Sequence, residues 1–178
     1  MALKSTIYKL ELSVADIDRQ YYETHTLTLA RHPSETDERM MVRVIAFALH
    51  AHEHLTFGKG LSGDGEPALR LDNLSGETEL WIDVGQPDER RVRKACGQAK
   101  AVAVYCYAPR SSRLWWEQNV AGFARHHNLT VKELGVGDID RLVARNMALQ
   151  CTIDGGLVWL ADDQRQFEVP VTVLQAAD

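Results

Sequence analysis

Leu80-Trp81-Ile82-Asp83-Val84-Gly85, followed at once by Gln86-Pro87-Asp88-Glu89, is the stretch on which the fold turns. An apolar run of this length bounded by glycine and proline predicts a buried strand over 79–84. The Pro-Asp-Glu sequence predicts a helix start, with proline near the first helical position and acids in the first turn. Along that helix Arg91, Lys94 and Gln98 share one stripe at i, i+3 and i+7, while Val92, Ala95, Cys96 and Ala99 face the sheet. The strand thus delivers an acid, Asp83, and the next helix returns a lysine and an amide towards it. Those are groups that Mg²⁺-dependent phosphodiester cleavage uses.

Working outward, Pro67–Leu71 reads as a strand and 74–77 as a turn, so a hairpin precedes Asp83. With the turn centred near Ser75, residues near 67 oppose residues near 83, which brings Glu66 close to Asp83. Asp72 is the competing acid, nearer the turn. After the helix, Val102-Ala103-Val104-Tyr105-Cys106-Tyr107 is a nearly continuous apolar strand, the pattern of a strand buried on both faces and reached by a crossover. A helix over 111–127 and a strand over 129–134 continue the alternation.

Upstream, 6–14 and 22–30 alternate apolar and polar residues and predict an antiparallel ribbon. Ser34 as N-cap with Asp37 three residues on predicts a helix over about 35–52, its apolar face including Met41, Val42, Ile45, Ala48 and Leu49. Glu38 stands at the head of that stripe. Residues 54–57 predict a short strand and the glycines at 58, 60, 63 and 65 a loop. Segments 148–153, 157–161 and 167–174, with a turn at Asp154-Gly155-Gly156, predict C-terminal hairpins.

The chain of 178 residues has length for one domain, with no linker, low-complexity tract or internal repeat. Three widely spaced cysteines argue against a disulfide framework and for a reducing, cytoplasmic setting. No apolar run reaches the roughly 20 residues of a membrane helix, and the N-terminus lacks a signal-peptide core, so no membrane association is expected. A net charge of -5 supplies no general basic coat for nucleic acid, so any such contact must be local.

Other motifs carry less. His50 and His54 are spaced i and i+4, but no HExxH pattern accompanies them, and a helix-end histidine cluster is the simpler reading. Trp115 suits the core better than base stacking. Gly58-Lys59-Gly60 is not a phosphate-binding loop, and neither Ser62 nor any cysteine has an evident base partner.

Three long segments resemble the YaeQ family across essentially the whole chain: Arg31-His32-Pro33-Ser34-Glu35-Thr36-Asp37-Glu38-Arg39-Met40-Met41, the Gly60-Leu61-Ser62 and Glu66-Pro67 pieces, and Leu80 to Arg91. The order of elements also resembles the PD-(D/E)XK, or restriction-endonuclease-like, superfamily. The resemblance implies an α+β fold with an αβββαβ core and a mixed sheet, the core spanning about 34–135 of a single domain over 1–178. An N-terminal β ribbon and C-terminal β hairpins would be added to it.

Carried over by position, the resemblance implies Glu38, Glu66 and Asp83 as ligands of Mg²⁺, with Mn²⁺ as a substitute. Glu66, Asp83, Lys94 and Gln98 would be the catalytic set of a nuclease. The superfamily's Glu-X-Lys triplet is replaced by Asp83-Val84-Gly85, so Lys94 would supply the ammonium from the helix. Arg39, Lys59 and Arg91 are the expected contacts to nucleic acid, DNA or RNA alike. The alternative expectation is a non-catalytic nucleic-acid- or protein-binding regulator, with a partner in the transcription machinery, that keeps the fold without the chemistry.

Overall fold

The apolar alternation of the first strand sets the shape of the molecule. In the computed structural model, which describes residues 4–58 and 65–178, β1 (Thr6–Asp16) buries Tyr8, Leu10, Leu12 and Val14 on one face. It pairs antiparallel along its full length with β2 (Tyr21–Arg31). The chain then enters α1 (Asp37–Leu49), a two-residue strand β3 (Thr56–Phe57), β4 (Leu69–Asp72) and β5 (Thr78–Val84). Next come α2 (Glu89–Gln98), β6 (Ala99–Cys106), α3 (Pro109–Phe123) and β7 (Leu129–Leu134). A 3-10 turn over Ile139–Leu142 leads to β8 (Asn146–Asp154), β9 (Leu157–Ala161) and β10 (Gln166–Gln175).

The ten strands of the described residues join one mixed sheet in the order β2-β1-β8-β9-β10-β7-β6-β5-β4-β3. This overturns the expected restriction-endonuclease-like αβββαβ core with ribbon and hairpins added on. The C-terminal strands are not accessories: β8 runs parallel to β1, and β10 pairs antiparallel with β7, so β8, β9 and β10 bridge the two halves of the sheet. The α+β class stands. Alternation reveals that one face of a strand is buried, but it does not name the neighbour on either edge.

The sheet curls towards a barrel around α1. The Phe47 ring lies edge-on to His25 of β2, 5.0 Å between centroids, and stacks on Phe57 of β3 at 5.4 Å. The two terminal strands of the sheet therefore meet on one side chain of the same helix. Residues 40–48 of α1 are accordingly buried in an unbroken run, where the sequence predicted one apolar face. A helix buried all round is what a closing sheet requires of its plug. Thr36, not Ser34, caps α1, its side chain accepting from the Arg39 amide. Outside the sheet, α2 and α3 cover β5, β6 and β7 with a second core built on Trp81, Val92, Val104, Trp115 and Phe123. Strand β6 is buried on both faces, Ala103 and Tyr105 joining the core of α1 while Val102, Val104 and Cys106 join that of α2 and α3.

Candidate phosphate site at the strand ends

Strands β5 and β6 are parallel, with Asp83 beside Val104 and Val84 beside Tyr105. Their carboxyl ends open on the first turn of α1, an arrangement that commonly receives ligands in open α/β sheets. After Val84 the backbone turns at Gly85, whose φ of +98° favours glycine, and the Gly85 amide donates to the Tyr105 carbonyl at 2.8 Å. Pro87 presents its carbonyl to the Trp115 indole at 2.8 Å, which ties the turn to α3. Asp88 then caps α2 by accepting from the Arg91 amide at 2.7 Å.

This cap delivers Arg91 over the strand end. Its Nε donates to Asp83 Oδ2 at 2.8 Å and its Nη2 to Asp83 Oδ1 at 2.9 Å, a two-pronged charge-assisted pair. Nη2 also reaches the Glu66 carbonyl at 2.6 Å, so hairpin, strand and helix meet on one guanidinium. Asp83 is 2% exposed. Arg39, from the first turn of α1, lines the same cavity of about 220 Å³ with Asp83, Gly85, Gln86 and Arg91. Behind it Glu35 is buried, accepting from Arg39 Nη1 at 2.9 Å, from Arg43 Nε at 2.7 Å and from Arg43 Nη2 at 2.8 Å. Arg39 and Arg43 thus hold Glu35, and Arg91 holds Asp83.

The expected site residues divide. Asp83, Arg91 and Arg39 share this cavity, and Glu66 joins them through its backbone carbonyl. Asp72 is held at the other end of the hairpin by Arg70 and Thr78, whose hydrogen bonds keep its carboxyl below the usual range. Lys94 is exposed beside Gly65, its Nζ 3.7 Å from where a Cβ there would stand. Gln98, also exposed, lines a second cavity with Gly65, Arg70 and Trp81. Glu38 is half-buried; with Glu35 it adds to the burial that raises the Tyr107 hydroxyl pKa, an effect Arg39 opposes. Lys59 lies outside the described residues.

The donor set does not fit Mg²⁺ as it stands. Both Asp83 oxygens accept from Arg91, and among the described residues no group of three or more His, Cys, Asp or Glu side chains is arranged to hold a metal ion. The Glu35–Arg43 pair escaped the sequence reading, although an arginine between Val42 and Val44 in an apolar stretch announces a buried partner. His50, at the end of α1, bonds the Tyr105 hydroxyl at 2.6 Å, and burial lowers its pKa to about 4.

No helix among the described residues is long and apolar enough to cross a membrane. The chain matches the model of the YaeQ protein family over residues 1–171. It is 46% identical over 178 residues to YaeQ of Escherichia coli (strain K12), covering 98% of each chain, and equally so to that of Salmonella typhi. The crystal structure of the YaeQ protein from Xanthomonas axonopodis pv. citri is similar at 43% identity with a TM-score of 0.93, over 97% of this chain and 99% of that one. The YaeQ protein from Pseudomonas syringae gives 35% identity and 0.89 over 97% of both chains. By its family match and by these whole-length likenesses, the chain belongs to the YaeQ family.

Proposed function

We propose that the chain binds nucleic acid without cleaving it, accepting a backbone phosphate at Arg39 and Arg91 where β5 and β6 end. The observation that carries this reading is the two-pronged pair between Arg91 and Asp83, in which a guanidinium engages the oxygens a metal would need. Arg39 and Arg91 line a cavity of about 220 Å³, ample for one phosphate group, and a guanidinium is the fork-shaped donor that such a group takes. The hydrolytic alternative, Mg²⁺ held by Glu38, Glu66 and Asp83 with Lys94 and Gln98 assisting, draws its support from the position of Asp83 at a parallel strand end.

Fluorescence anisotropy of labelled single- and double-stranded DNA and RNA, in Mg²⁺, in Mn²⁺ and in EDTA, separates the two. The expected result is binding that survives EDTA, weakens with salt, falls in Arg39→Gln, and leaves the strands intact on a gel. Cleavage in Mg²⁺ that disappears in Asp83→Asn would replace this reading with the hydrolytic one. Absence of binding to every strand would overturn both.

A further inference from the structure

Helix α2 reads Glu89-Arg90-Arg91-Val92-Arg93-Lys94-Ala95-Cys96-Gly97-Gln98, four cations against one acid. Val92 and Ala95 are buried in the core beneath it, and Arg91 stands at the margin of that stripe. At 3.6 residues per turn, Gln98, Lys94, Arg90 and Arg93 follow round the helix from Arg91 at about 20°, 60°, 100° and 160°, on the side away from Val92. All four are exposed. No acid interrupts this arc: Glu89 lies beyond it with its carboxyl beside Gly122 of α3, and Asp88 is engaged as the cap.

A charged helix face is commonly no more than solvated, but two features set this one apart. Among the described residues Arg90, Arg93 and Lys94 form no ion pair, whereas Arg19, Arg70, Lys100 and Arg113 each hold a carboxylate. Like charges at i, i+3 and i+4 repel, and an anion from outside relieves them. The face is also continuous with the phosphate site. Arg91 Nη2 donates to the Glu66 carbonyl at 2.6 Å, and Lys94 Nζ comes to Gly65, the residue before. Arg91 and Lys94 thus stand side by side over one short segment, the first turned to the strand end and the second to solvent.

We propose that this face of α2 carries the nucleic-acid backbone onward from the phosphate at Arg39 and Arg91, with Lys94, Arg90 and Arg93 each meeting a further phosphate; the inference rests on the function proposed above. Arg90 and Lys94 are roughly 6 Å apart along the helix axis, similar to the step between neighbouring phosphates of one strand. Each such contact releases condensed counterions, so the face contributes affinity without reading sequence. It also explains how a chain of net charge -5 holds a polyanion, since α2 gathers cations in one place.

The full chain is titrated by anisotropy with a labelled oligonucleotide, single-stranded and as a duplex, from about 50 to 200 mM salt. Arg90→Gln combined with Lys94→Gln, both at exposed positions, lowers affinity about tenfold. The slope of log affinity against log salt flattens by about 1.4 for the single strand or about 1.8 for the duplex, the loss of two phosphate contacts. Adding Arg93→Gln flattens it further. Arg113→Gln, which removes the same charge from an exposed position of α3, moves neither quantity. An unchanged slope in the double variant, or an equal loss in Arg113→Gln, overturns this inference; the proposed function then stands if Arg39→Gln still weakens binding. No binding of any strand by the wild type overturns the two together.

Discussion

Arg91 and Asp83 close a two-pronged ion pair at 2.8 and 2.9 Å across the step from strand to helix, with the acid 2% exposed and the arginine still reaching a hairpin carbonyl. Such a pair is costly to break from one side, because the survivor is left charged and desolvated. Arg91→Ala is therefore expected to destabilise the fold by about 3 kcal/mol, the low end for a buried pair since Arg91 keeps some contact with water. Arg91→Lys recovers part of that loss, a single ammonium being unable to reproduce the fork. Urea unfolding of both variants measures this, and equal stability of Arg91→Ala and wild type would show that the pair contributes nothing.

The Glu35–Arg43 pair is buried more deeply, both side chains having no exposure. Glu35→Ala strands Arg43 in the core beside the Phe57 ring and should cost about 3–5 kcal/mol. Replacing both members together, as Glu35→Leu with Arg43→Met, should cost far less, since an apolar substitute needs no partner. A double-mutant cycle by chemical denaturation reads the difference.

His50 makes stability depend on pH. Its folded pKa, about 4, is below the ordinary imidazole value of 6.5 because burial opposes the charge. Between those values the unfolded chain binds more protons than the folded one, so stability falls as pH drops from 6.5 towards 4. His50→Gln should remove that part of the slope while other groups keep theirs. Thermal melts across pH 4 to 7, wild type against variant, test the assignment, and parallel curves would reject it.

Thr36 caps α1 through its hydroxyl, whereas Ser34, two residues earlier, serves no such role. Thr36→Ala is expected to cost about 1 kcal/mol and Ser34→Ala only a few tenths. The reverse order in matched unfolding curves would restore the cap expected from sequence.

That cap also shows where legibility ends. Asp37 three residues after Ser34 looked like a capping box, yet Glu35 turns inward to Arg43 and delays the helix by a turn's fraction. Local pattern placed most strands within a residue or two, because alternation and turn residues act over short range. Asp83 at a strand end and the stripe of Arg91, Lys94 and Gln98 were equally readable. Which of the three reaches the acid was not, since the Asp88 cap decides it. Least readable was the order of the sheet, for nothing in the alternation of β1 names β8 as its neighbour.

That parallel pairing sets Lys9 beside Asn146 and Asp16 beside Ile153, so β1 finds this partner only after β2 to β7 have been made. Until then the apolar face of the ribbon and the open edge of β7 wait uncovered, an aggregation hazard that a growing chain must survive. Pairing over so long a stretch of chain is expected to slow folding, and loss of β10 would separate the sheet into two halves rather than trim one edge.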